Sequence, residues 1–212
     1  MHYIALGDSI SIDDYPQRET GRRGLGAASL FFRNDDRFWP EFAGRDLSTL
    51  YPGATFQNLT FDGATSEDVL RGTLKTADLI TLTAGGNDML MHLRAPCPPK
   101  RLVEDIVERI DRILSKLTGA VVFLGTVYDP SDGTNVLYGE RLDREAKWLA
   151  QFNESIRNFS SDNVRIIDIH KHFLGHGVSV PERERWYWDE LIFEPNARGA
   201  SEVRRLWLEA LL

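Results

Sequence analysis

The side chains best suited to chemistry in this 212-residue chain sit where short apolar runs end. Ser9 lies in Gly7-Asp8-Ser9-Ile10, two residues after a glycine that permits a tight turn. Such a turn can hold a hydroxyl at the edge of a strand and point the serine N–H at a developing oxyanion. Asn87, in Gly85-Gly86-Asn87-Asp88, carries a neutral amide donor whose charge does not change with pH, and Gly63, in Asp62-Gly63-Ala64, allows close backbone approach. A nucleophilic serine attacking a carbonyl needs two or three such donors, each worth about 2.7–4 kcal/mol of barrier. Taken singly, each residue has an ordinary alternative: a turn or helix-capping serine, a loop-bridging amide, a glycine at a helix start. Asp8 and Asp88 read as carboxylates that orient loop backbone.

These residues need a frame that brings them to one place. Apolar runs at Tyr3 to Leu6, Thr55 to Leu59, Leu79 to Thr83, Val121 to Gly125 and Val164 to Ile169 read as strands. Val103, Ile106, Val107, Ile110, Ile113, Leu114 and Leu117 recur at helical spacing with Glu104, Asp105, Glu108 and Arg109 off the stripe. Weaker helical patterns cover Phe38 to Leu50, Ser66 to Lys75, Arg141 to Phe159 and Ala200 to Leu211. The alternation predicts an α/β/α three-layer domain over 1–212 with a five-stranded, mostly parallel sheet. Ligands of such sheets bind beyond the carboxyl ends of the strands. The residues there are Asp8 and Ser9, Gly63, Asn87, Tyr128-Asp129-Pro130, and the histidines His170, His172 and His176. The stretch from Ile10 to Asp36 reads as one long irregular segment, a candidate rim or lid.

Gly-Asp-Ser after the first strand, Gly63 after the second and Gly-x-Asn-Asp after the third, in that order, resemble the SGNH/GDSL hydrolase superfamily over nearly the whole chain. The resemblance implies the flavodoxin-like strand order 2-1-3-4-5. It also implies hydrolysis of a carboxylic ester through an acyl-enzyme on Ser9, with Gly63 N–H and Asn87 holding the oxyanion. A small-molecule ester is the partner it implies, an acylated carbohydrate or small alcohol being one class.

The last block departs from the resemblance. The family pattern is Asp-x-x-His, whereas this chain reads Asp189-Glu190-Leu191-Ile192-Phe193-Glu194-Pro195-Asn196. Glu194 stands where the histidine would be, and Asp189 lies five residues before it. Three explanations compete. Glu194 could take the Ser9 proton if burial among Ile192, Phe193 and Trp188 raised it from its free value of about 4.3. A histidine from elsewhere could serve, His176 first and then His170, His172 or His92, with Glu194 or Asp189 orienting it. Without a base, the fold would bind a ligand without efficient turnover. A further reading places a metal on His170, His172, His176 and Asp168; no cofactor is expected.

Composition narrows the partners. A formal charge of −7 argues against a nucleic-acid groove, no apolar run approaches the roughly 20 residues of a membrane span, and Cys97 is the only cysteine. The first residues lack the pattern of a signal peptide, so a cytoplasmic location is the default expectation. Asp13-Asp14-Tyr15 with Asn34-Asp35-Asp36 could line a substrate mouth or form a solvated rim, and Trp186-Tyr187-Trp188 could stack on substrate or anchor the core.

Overall fold

The computed structural model describes residues 1–72 and 76–211. Strands β1 (His2–Gly7), β2 (Thr55–Thr60), β3 (Leu79–Thr83) and β4 (Val121–Gly125) form where the apolar runs lie. With Val164–Ile167 they build a parallel five-stranded sheet. Two short antiparallel ribbons complete the strands: β5 (Val136–Leu137) with β6 (Glu140–Arg141), and β8 (Tyr187–Trp188) with β9 (Leu191–Pro195), Val164–Ile167 being β7 between them. The sheet order β2-β1-β3-β4-β7 is the expected 2-1-3-4-5.

Alternation along β1 divides the core. Tyr3 and Ala5 face one layer with Phe31, Phe123, Phe173 and Trp207, while Ile4 and Leu6 face the other with Ile80, Leu82, Ile106, Ile110 and Phe152. The second layer holds α4 (Ser66–Arg71), α6 (Leu102–Leu114) and α7 (Asp143–Arg157). In α6 the buried residues are Leu102, Val103, Ile106, Ile110, Ile113 and Leu114, the stripe the sequence spells out. Of the helical pattern read from Ser66 to Lys75, residues 73–75 lie outside the described residues.

Three expectations need correction. The stretch from Ile10 to Asp36 is not one irregular segment: it contains α1 (Asp14–Thr20) and α2 (Ala27–Phe32), with Leu25, Ala27, Ala28, Leu30 and Phe31 fully buried. Phe31 meets the Tyr3 ring edge-on and lies against Trp207 of α9 (Ala197–Leu211), so this segment is core. The pattern from Phe38 to Leu50 resolves into a 3-10 turn at Pro40–Phe42 and α3 (Leu47–Leu50), the latter capped by Asp46. The fifth strand ends at Ile167, because the Asp168 carboxylate accepts the Lys171 N–H and caps the short helix α8 (Ile169–Phe173). The remaining helix, α5 (Gly86–Leu90), begins directly after the third strand.

Candidate active site

Gly7 closes the first strand at φ +121°, and a Cβ there would lie 1.7 Å from the Thr83 carbonyl oxygen. Only glycine fits so close to the neighbouring strand. The chain then turns at once: Asp8 N–H donates to Thr83 O at 3.0 Å, and the Asp8 carboxylate caps the 3-10 turn Ser9–Ser11 by accepting the Ile10 N–H at 3.2 Å. Ser9 is thereby fixed at the first residue of a turn, where its own N–H has no intrahelical partner.

Asn87 sits in the first turn of α5, preceded by Gly85 at φ +106°. Its Nδ2 donates one hydrogen to Ala64 O at 2.9 Å, tying α5 to the loop that carries Gly63 and leaving the second N–H of the amide free for another acceptor. Asp88 reinforces the same junction. Buried, it accepts Ser66 N–H at 2.8 Å, Ser66 Oγ at 2.7 Å and Arg109 Nη1 at 3.0 Å, the loop-orienting role its position suggested. Gly63 adopts φ +74° on the exposed side of that loop. It borders the Asn87 junction without lining the cavity described next.

A cavity of about 110 Å³ opens at Ser9; its polar lining includes Asp8, Ser9, Asn87, Tyr128 and Glu194, together with Asp129, Ser131, Asn135 and Glu145. Glu194 reaches it from β9. Period-two alternation puts Ile192 and Glu194 on the inward face, 2% and 6% exposed, and Tyr128 Oη fixes the strand by donating to Phe193 O at 2.6 Å. Ser9 and Glu194 share this lining, and among the described residues the buried Glu194 Oε2 has no hydrogen-bond partner. Acid–base pairs are often this loose before substrate arrives.

Burial pushes Glu194 up to about 8; the Ser9 hydroxyl pulls it down, and the charges of Asp8 and Asp62 add to the rise. Asp8 is pushed up to about 6, again chiefly by burial and against its bonds to Thr83 and the Ile10 N–H. The Tyr15 phenol is raised by burial, by the Glu194 charge and by its bond to Asp62. Sequence reasoning did not find Tyr15 and Asp62 as neighbours of Glu194; they meet only through the packing of α1 beside β9.

The other candidates lie elsewhere. His176 stacks flat on Trp186 at 3.6 Å with its Nδ1 3.3 Å from Glu184 O, and it does not line the cavity. Asp189 is exposed and paired with Arg185 at 3.0 Å. His170 Nδ1 lies 3.3 Å from Arg157, which holds Asp168, and His172 Nε2 contacts Glu202 at 2.9 Å. His170 and His172 lie two residues apart in the helix α8, so they point to different sides of it and do not converge on one metal. Among the described residues no group of His, Cys, Asp and Glu is arranged to hold a metal. His92 follows α5 and is not among the cavity residues. Asp13 accepts Gly26 N–H and Ser29 Oγ, and Asn34 accepts from Arg204 at 2.7 Å, so both brace the fold and neither edges a substrate mouth. Trp186 and Tyr187 are core, and Trp188 lies against Tyr15.

A family model described as GDSL-like Lipase/Acylhydrolase family matches residues 5–201. Comparison with curated proteins gives no match. Among solved structures, a lipase from a goat rumen metagenome aligns at TM-score 0.70 and 17% identity, over 99% of this chain and 97% of that one. An acetyl xylan esterase aligns at TM-score 0.66 and 16% identity over 100% of both chains. An extracellular lipase from Streptomyces rimosus aligns at 0.62 and 17% over 100% of this chain and 99% of that one. At these identities the structures establish a shared fold.

Proposed function

The chain belongs to the GDSL-like lipase/acylhydrolase family, a family of ester hydrolases, and from that premise we propose that it cleaves carboxylic esters through Ser9 with Glu194 as the general base. One observation carries the proposal: of the bases the sequence offered, Glu194 is the one that lines the cavity with Ser9. In the acylation step the Glu194 carboxylate takes the Ser9 Oγ proton as Oγ bonds to the ester carbonyl carbon. The negative charge passes to the carbonyl oxygen, held by the Ser9 N–H and the free Asn87 N–H, the two donors that line the cavity. Collapse breaks the ester C–O bond, and Glu194 returns the proton to the departing alcohol. Water, deprotonated by Glu194, then releases the acid from Ser9 and regenerates the free hydroxyl.

A fluorophosphonate probe tests the assignment. Wild-type protein should be labelled at Ser9, located by peptide mass spectrometry, and should turn over p-nitrophenyl butyrate. Ser9→Ala should lose the label and at least about a thousandfold in kcat. Wild type that neither labels nor turns over any ester would identify a binding domain on the same scaffold and overturn the proposal.

A further inference from the structure

The Ser9 cavity holds more carboxylates than ester hydrolysis uses. Besides Asp8 and Glu194, Asp129 and Glu145 line it, and among the described residues no Lys or Arg does. Glu145 is answered from outside the lining, by Arg144 at 2.8 Å and the Arg94 N–H at 3.2 Å. Asp129 accepts the backbone N–H groups of Ser131 and Gly133, both at 2.8 Å, neutral donors that leave its charge in place. His170 feels that charge, but burial and Arg157 hold its imidazole below the ordinary range, so it does not neutralise Asp129. Asp8 is capped by the Ile10 N–H, another neutral donor, and Glu194, 6% exposed, keeps Oε2 without a partner in the cavity wall. The neutral polar groups beside them are engaged within their own loop: Ser131 Oγ accepts the Asn135 N–H at 3.1 Å, and Asn135 Nδ2 donates to Asp143 at 3.3 Å. Much of the remaining lining is aliphatic, with Leu93, Leu137 and Leu149.

We propose that this cavity selects esters of quaternary ammonium alcohols, the cation lying among Asp8, Asp129 and Glu194; this deepens the Ser9 reading above and rests on it. Charge argues for it. A buried carboxylate without a counter-charge is costly, and a ligand with a fixed positive charge relieves all three of these. The attraction outlasts acylation, because the negative charge that leaves Glu194 stays in the cavity on the carbonyl oxygen. The walls decide the kind of cation. A metal ion or a primary ammonium asks for oxygen acceptors all round, whereas N-methyl groups pack against aliphatic side chains. The mechanism puts the cation on the alcohol side. Glu194 must reach the departing oxygen to return its proton, so a charge two carbons beyond that oxygen lies nearer the carboxylate than one on the acyl chain. Size agrees: at roughly 10–15 Å³ for each water-sized group, about 110 Å³ holds roughly seven to eleven, and an acetylated choline has about ten non-hydrogen atoms. A phosphodiester between ester and cation would bring an anion against the same carboxylates and is disfavoured by them. The bonds that change are those of any ester: the C–O bond breaks, the alcohol leaves with the Glu194 proton and its own charge, and water releases the acid.

The test compares acetylcholine with 3,3-dimethylbutyl acetate, which has the same shape with carbon in place of the charged nitrogen. Each kcat/KM is divided by the ester's own rate with hydroxide, which removes the intrinsic activation by the ammonium. In wild type the normalised ratio should favour the cation at least about fivefold. Asp129→Asn keeps an oxygen acceptor for the loop and should lower that ratio at least about threefold. Tetramethylammonium should inhibit turnover of the neutral ester competitively, where sodium at the same ionic strength does not. Thermal midpoints establish whether Asp129→Asn is folded; where it is not, the wild-type ratio and the inhibition decide. A smaller wild-type ratio, no competition by tetramethylammonium, a smaller drop in folded Asp129→Asn, or turnover of neither ester by protein that labels at Ser9 would each overturn the cation site while leaving Ser9 as nucleophile. No turnover of any ester, with no Ser9 labelling, would overturn the catalytic reading and this inference with it.

Discussion

The pH dependence of ester turnover separates a glutamate base from a histidine. Glu194 moves from its ordinary 4.5 to about 8, chiefly by burial. That pKa difference of about 3.5 disfavours the carboxylate by about 5 kcal/mol, at about 1.36 kcal/mol per pKa unit. Only about a tenth of the enzyme therefore holds an ionised base at pH 7. kcat/KM should climb about tenfold per pH unit below 8 and level off near 9, when followed with a neutral ester in buffers of constant ionic strength. Glu194→Gln should lower the plateau by about 10²–10⁴. Glu194→His should move the rise toward the imidazole range near 6.5. A rise near 4.5 would show a carboxylate untouched by its surroundings. One near 6.5 that survives Glu194→Gln would place the base on another residue; either result refutes the reasoning.

The same burial links stability to pH. Because the folded pKa of Glu194 lies above its unfolded value, its contribution is fully present below about 4.5 and is lost as pH rises through about 8. Glu194→Gln cannot ionise, so it should unfold at a higher temperature than wild type at pH 9 and lose that advantage at pH 5. The opposite order would mean that the carboxylate has a stabilising partner in the folded chain.

Other perturbations probe the remaining parts. His176→Ala should keep kcat/KM within about twofold and lose only about 0.5–1.5 kcal/mol of stability with the Trp186 stack; a hundredfold loss of activity would restore His176 as the base. Asn87→Ala should lower kcat by about 10²–10³ with KM little changed, since the missing donor acts on the oxyanion, and unchanged kcat would remove Asn87 from that role. Gly7→Ala forces a Cβ against the Thr83 carbonyl at positive φ. It should cost about 3 kcal/mol or more, seen as a fall of roughly 6–12 °C in Tm, and a fall below about 2 °C would show that the strand end relaxes freely.

What the sequence disclosed follows from where its signals are local. Strands buried on both faces read as unbroken apolar runs, so the interior strands β1, β3 and β4 were visible at once, while the order of the sheet came from the family resemblance. The fifth was read two residues too long because Ile169 continues the apolar run while the turn is made by the side chain of Asp168. The segment from Ile10 to Asp36 looked irregular because α1 and α2 are too short for a helical period to emerge between their glycines. Ser9, Asn87 and Glu194 could be picked from position along the chain. His176 could not be placed that way, because a Gly-His-Gly segment is free to go anywhere until Trp186 supplies a flat surface for its ring. The cavity walls were equally hidden. Leu93, Leu137 and Leu149 lie on three separate segments, and nothing in any one of them tells a residue facing a cavity from one facing the core.

A glutamate at the base position changes the electrostatics of acylation in a way its neighbours suit. A neutral imidazole taking the serine proton becomes a cation, so the step creates an ion pair with the oxyanion. A carboxylate doing the same becomes neutral, and one negative charge moves from Glu194 to the carbonyl oxygen with the site's net charge unchanged. Asp8 and Asp62, which would favour an imidazolium, here raise the energy of the charged carboxylate, as does burial. What disfavours the ionised base at rest therefore drives proton transfer once it has formed. No cation lines the cavity among the described residues. Under the proposed mechanism the relocated charge is left to the neutral donors of Ser9 and Asn87, so the junction held by Asp88, Ser66 and Arg109 is the part of the fold on which turnover would depend most directly.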